Sequence, residues 1–130
     1  TFIGCRLLRE EGVPDNSVYL GRPWHPTTTF SDGRYANPFA VGKSLFINTF
    51  MDAHIATLGW TTMGGTQKDG TRKQFDPLTE ARFFENESYG PGAHINDQRR
   101  QLDKQQVKKY DLNKMIARWG VHSQAIRKIK

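Results

Sequence analysis

At 130 residues, the chain is long enough for one domain with its own core and too short for two. Its composition, with 36% hydrophobic and 12% aromatic residues, excludes a disordered chain, and no apolar run approaches the ~20 residues that span a bilayer. The net charge of +6 is unevenly placed: residues 1–98 hold 9 Lys/Arg and 11 Asp/Glu, residues 99–130 hold 10 and 2.

Thr1 to Leu8 already reads as strand. The chain is therefore expected to begin inside a fold, as a fragment whose targeting information lies upstream. Cys5, the single cysteine, has no internal disulfide partner and is expected to be a small buried hydrophobe. Residues 1–22 read as two short strands around a turn rich in Gly12, Pro14, Asp15 and Asn16. In the Val18–Trp24 stretch that follows, Pro23 fixes its own φ and pushes Arg22 to extended geometry. Strand alternation then points Arg22 and Trp24 the same way. Two readings stay open for the pair: a surface for an acidic or carbohydrate ligand, or an arginine packed on a structural tryptophan.

Residues 25–43 read as a long irregular loop, and residues 44–51 as a strand with apolar groups on both faces. Ala81 to Glu87 is a further strand, ended by Gly90-Pro91-Gly92. No stretch before Gln98 supports a long amphipathic helix, and no internal repeat is evident. Asp103 and Gln106 have the spacing of a capping box. Asp111 is placed to cap a second helix through Met115, Ile116 and Trp119, ended by Gly120, with residues 123–130 frayed. A solvated helix face explains this basic end better than nucleic-acid binding, because aromatic interleaving is missing.

The four histidines, His25, His54, His94 and His122, do not pair at metal-ligand spacing, so neither a metal nor another cofactor is expected. The glycines do not form a phosphate loop, and the serine elbow of α/β-hydrolases is absent. Asp15, Asp32 and Asp52 each sit beside a turn residue or strand end and are read as turn and cap acceptors. Short strands joined by turns fit either a sandwich or a stacked β-helix.

The segment Tyr19-Leu20-Gly21-Arg22-Pro23-Trp24 resembles the signature of the pectin methylesterase family. Behind it, in order, Met51-Asp52-Ala53-His54-Ile55 with Gly59-Trp60, Arg82-Phe83-Phe84-Glu85, and Gly90-Pro91-Gly92-Ala93 resemble further blocks of that family. Arg99-Arg100-Gln101-Leu102, Tyr110 and Trp119 resemble the tail of its bacterial members. The resemblance implies an all-β chain, a right-handed parallel β-helix. Residues 1–98 would form C-terminal coils and residues 99–130 a basic, partly helical tail. It implies hydrolysis of galacturonate methyl esters in pectin by two aspartates and a glutamine. All three precede this motif in the family, and the seventeen residues before Val18 contain no glutamine. Asp15 lies too close to the motif to be either aspartate, so the isolated fragment is expected to be inactive.

By the same resemblance, Arg22 pairs with the nucleophilic aspartate, Trp24 packs on the substrate ring, and Thr27 and Met63 contact substrate. Trp60 is read instead as a core residue. The implied partner is methyl-esterified pectin, bound by a monomer, with no nucleic acid. The implied location is secreted, periplasmic or anchored to the outer membrane. The rival functions are an acyl thioester hydrolase on the same scaffold and a non-catalytic pectin-binding β-helix.

Overall fold

The computed structural model describes residues 1–118. The expectations placed on Trp119, Gly120 and residues 123–130 lie outside the described residues. Nine strands precede three short helical segments in the described part.

The body is a stack of parallel coils. β1 (Phe2–Ile3), β5 (Lys43–Ile47) and β9 (Arg82–Asn86) form one parallel sheet, with Phe2 beside Phe46 and Phe46 beside Glu85. β2 (Arg6–Leu7) and β6 (Phe50–Met51) form a second parallel pair, which a bridge from Phe50 to Tyr89 extends. A third side consists of the parallel bridges Val18 to Ile55 and Gly21 to Trp60. Each coil therefore repeats the order of the one before it.

The corners repeat as well. Gly4, Asn48 and Glu87, each just after a strand of the first sheet, have φ of 61°, 47° and 51°. This left-handed turn redirects the chain from the first sheet to the second. It also corrects the expected strand over 44–51: the strand ends at Ile47, and Phe50–Met51 belong to the next sheet. Asn tolerates the left-handed region, so the break costs little. Leu45, Phe46 and Ile47 are all buried, as two apolar faces required. Cys5 sits between β1 and β2 rather than within a strand, and is half-buried.

The core is an aromatic ladder running across the coils. Phe2 stacks on Phe46 at 4.5 Å, Phe46 lies 5.9 Å from Trp60, and Trp60 stacks on Phe83 at 4.4 Å. Met51, Ile55 and Ala81 fill in around them. Phe2, at the open end of the ladder, stays 45% exposed, while each of the buried rings, Phe46, Trp60 and Phe83, contributes about 1.5–3 kcal/mol. Trp60 is thus a core residue, as read from the sequence.

Two antiparallel hairpins leave the stack: β3 (Thr27–Phe30) with β4 (Gly33–Ala36), and β7 (Met63–Thr66) with β8 (Arg72–Phe75). The first corrects the expected irregular loop over 25–43. Three consecutive β-branched threonines favour extended backbone, and Ser31–Asp32 suffices as a two-residue turn. Gly65 lies inside β7 because a Cβ there would meet Phe75 at 2.7 Å and Ala36 at 3.2 Å. The two hairpins pack against each other through that gap.

Asp103 accepts from the Gln106 backbone N–H, and Gln106 accepts from the Asp103 backbone N–H. This capping box opens α1 (Lys104–Val107); a 3₁₀ turn (Lys108–Tyr110) follows, and then α2 (Leu112–Arg118). Asp111 accepts from the Lys114 N–H, as the sequence predicted. Residues 99–102, in contrast, run with the sheets. Gln101 bridges to Glu85 in parallel, and Leu102 N–H donates to the Glu85 carbonyl at 2.7 Å. The helical part therefore starts at Asp103.

Candidate functional site

The stretch around Arg22 is extended chain rather than the expected strand, tied to the body by the isolated Val18–Ile55 and Gly21–Trp60 bridges. Leu20 N–H donates to the Gly59 carbonyl at 2.7 Å, and Thr61 N–H donates to the Gly21 carbonyl at 3.2 Å. A Cβ at Gly21 would come within 3.3 Å of the Trp60 ring, so glycine lets the chain pass close over that ring. Arg22, Pro23, Trp24 and His25 then alternate exposed, buried, exposed, buried. Arg22 and Trp24 therefore share the solvent side, while Pro23 and His25 point inward.

Trp24 is 62% exposed, an unusual state for the largest apolar side chain. The cation–π contacts among the described residues are Arg6–Phe50, Lys43–Tyr110, Lys73–Phe75 and Arg100–Phe84, none involving Arg22 or Trp24. No carboxylate among the described residues pairs with Arg22. Thr27 follows at the exposed start of β3, and Met63 is half-buried at the start of β7. The inward side of this extended stretch joins the two regions: the His25 ring stacks on Phe75 at 4.1 Å, and Phe75 is the cross-strand partner of Met63. His25 Nδ1 lies 2.9 Å from the Asn37 carbonyl, which fixes Nδ1–H as donor.

Asp15, Asp32 and Asp52 are engaged elsewhere. Asp15 pairs with Arg9. Asp52 accepts from the Ala53 N–H at 2.7 Å, which holds its carboxyl below the usual range. Asp32, at the tip of the first hairpin, pairs with Lys68 at the tip of the second at 2.6 Å and accepts from the Tyr35 hydroxyl at 3.0 Å. The Lys68 contact and then the Tyr35 bond lower the Asp32 pKa, and the same contact raises that of Lys68. A groove of about 860 Å³ lies between the hairpins, walled by His25, Tyr35, Phe39 and Phe75, with Lys73 and Glu80 beside them. Neither Arg22 nor Trp24 lines it, so it is separate from the candidate site.

The scaffold under the site depends on an ion pair that the sequence did not reveal. Arg99 and Glu85 are 0% and 1% exposed. Arg99 Nε donates to Glu85 Oε1 at 2.7 Å and Nη2 to Oε2 at 2.6 Å, while Nη1 donates to the Gly92 carbonyl at 2.7 Å. The arginine stem passes directly under Gly59, where a Cβ would meet it at 2.9 Å. Both residues lie in motif blocks, but nothing in their spacing pairs them across 14 positions.

No family model matches the chain. Pectinesterase A of Dickeya chrysanthemi is 50% identical over 115 residues, which is 88% of this chain and 31% of the relative. The pectin methylesterase of Yersinia enterocolitica superposes with a TM-score of 0.85 at 53% identity, covering 92% of this chain and 37% of that one. In sequence and fold, this chain is similar to part of the bacterial pectin methylesterases. A mutant pectin methylesterase solved in complex with a hexasaccharide matches at 48% identity and a TM-score of 0.80, covering 87% of this chain and 33% of that one. The chain spans about a third of the length of the pectin methylesterases it matches. Among the described residues, no group of three or more His, Cys, Asp or Glu is placed to hold a metal ion, and no helix is long and apolar enough to cross a membrane.

Proposed function

We propose that this chain is the arginine-bearing part of the cleft of a pectin methylesterase, built as the C-terminal coils of a right-handed parallel β-helix. The observation that carries the reading is the Arg22–Trp24 pair. A cation and a tryptophan share the solvent side of one extended stretch, and no acid among the described residues engages the cation. A guanidinium fork left open in this way suits a carboxylate supplied from outside the described residues.

In this reading a segment upstream of Thr1 supplies an aspartate nucleophile, and Arg22 keeps that aspartate ionised and oriented. The carboxylate attacks the ester carbonyl and forms an acyl-enzyme, and a second upstream aspartate protonates the departing methanol. That same group then takes a proton from water, which attacks the acyl carbon, releases galacturonate and frees the nucleophile. An upstream glutamine donates to the tetrahedral oxyanion. Trp24 supplies a flat apolar platform for a sugar ring, Thr27 a hydroxyl for hydrogen bonding, and Met63 an apolar contact for the methyl group. The enzyme acts as a monomer on methyl-esterified pectin and is secreted, periplasmic or outer-membrane-anchored.

Methanol release from methylated pectin tests this. Arg22→Ala in the full protein is expected to lower turnover by about a hundred-fold, the scale of losing one fixed charge-stabilising donor. An unchanged rate would remove Arg22 from the site. Pectin binding without methanol release, even by the unaltered protein, would favour a non-catalytic binding role.

A further inference from the structure

We propose that the lysines of the helical tail form an ancillary surface for de-esterified pectin, a polyanion carrying one carboxylate on each freed sugar. The proposal rests on the esterase reading above and concerns the tail rather than the Arg22–Trp24 stretch.

Two of the cations beyond Gln98 are turned inward. Arg99 is buried against Glu85, and Arg100 donates to the carbonyls of Leu78 and Ala81 while lying over the Phe84 ring. Lys104, Lys108, Lys109 and Lys114 remain exposed. Lys108, Lys109 and Lys114, with Met115, line a shared hollow of about 440 Å³. Lys43 of β5 lies against the tail, its Nζ 4.9 Å from the centre of the Tyr110 ring.

These charges are not compensated locally. The acids of the tail, Asp103 and Asp111, serve as helix caps. No carboxylate among the described residues lies within ion-pair distance of any of the four lysines. Residues 119–130 contain no Asp or Glu, but add Arg127, Lys128 and Lys130. Lys104 and Lys108 stand four residues apart, where like charges repel along a helical face. A surface that accumulates cations at the expense of local stability favours an anionic partner. Methylated pectin is neutral and its product is ionised, so this surface would distinguish product from substrate. Nucleic acid fits less well. The aromatic residue of the described tail, Tyr110, is half-buried beneath Lys43, whereas single-strand binders stack bases on exposed rings.

The test measures binding of polygalacturonate and of fully methyl-esterified pectin to the full protein. It compares wild type with a variant carrying Lys104→Gln, Lys108→Gln, Lys109→Gln and Lys114→Gln together. Wild type is expected to bind polygalacturonate. That binding should weaken about ten-fold in the variant, and about as much between roughly 0.1 M and 1 M salt, where screening shortens from about 10 to 3 Å. Methylated pectin should bind both proteins equally. The four Lys→Arg changes together should restore polygalacturonate binding, which rules out misfolding as the cause of loss. Methanol release from a short methylated oligosaccharide should be the same in wild type and variant. Absence of release from wild type would instead sink the esterase reading. The proposal is overturned if the Gln variant binds polygalacturonate as wild type does, or if the lysines hold DNA or anionic vesicles more tightly at equal salt.

Discussion

Replacing Glu85 with Gln should be among the most damaging single changes in the described body. The substitution keeps shape but removes the charge that balances Arg99, which is 0% exposed and has no route to water. Arg99 would retain its bond to the Gly92 carbonyl and one bond to the amide oxygen, but the amide NH2 would face the other guanidinium donor, so one of the bonds at 2.7 and 2.6 Å is lost together with the balancing charge. Removing one member of a buried ion pair costs about 3–5 kcal/mol, because the other is left buried and unbalanced. At a urea slope of about 2 kcal/mol per molar for a domain of this size, the midpoint should fall by about 1.5–2.5 M with the slope unchanged. The double variant Glu85→Leu with Arg99→Met should recover much of that loss, since neither charge then remains to be solvated. Urea denaturation followed by tryptophan fluorescence reads both, because Trp60 stacks on Phe83, beside Glu85 on β9. A shift below about 0.5 M for Glu85→Gln, or a double variant weaker than either single one, would refute the reasoning.

Gly92→Ala should cost about 3 kcal/mol or more, since its Cβ would sit 2.2 Å from the Asp52 carbonyl oxygen, a backbone atom that cannot swing aside. Gly12→Ala, in open space at φ +83°, should cost only about 1–2 kcal/mol, and equal melting temperatures for the two variants would contradict this. Trp24→Ala should raise KM for pectin about ten-fold and leave the melting temperature unchanged, because the ring is exposed. A lowered melting temperature with unchanged KM would make Trp24 structural. Because the folded pKa of Asp32 is lowered, its contact with Lys68 stabilises above the ordinary carboxylate value of 3.8 and is lost as pH falls through the depressed one. The melting-temperature gap between wild type and Asp32→Asn should therefore be open near pH 6 and close toward about pH 2; a gap independent of pH would rule this out.

Features that depend on neighbours in the chain were legible in the sequence. The Asp103–Gln106 capping box, the Asp111 cap and the shared direction of Arg22 and Trp24 each follow from spacings of two or three residues. A strand expected over 81–87 is found at 82–86, and Trp60, expected to be core rather than a ligand platform, is buried. The hairpin over 27–36 was misread because its threonines are polar, though their β-branching favours strand. Other features required the stacked coils. Asn48 ends β5 because the chain must turn into a second sheet there, and a polar residue between two apolar runs does not announce a left-handed corner. Gly65 and Gly92 resemble loop glycines but are there because other segments of the chain pass within van der Waals contact. The Arg99–Glu85 pair and the Asp32–Lys68 tie join residues 14 and 36 positions apart. Local periodicity holds no information about such distant partners. It determined what each short segment prefers, while the stacking of coils decided which charges are buried, which glycines are obligatory, and that Arg22 faces outward without an acid of its own among the described residues.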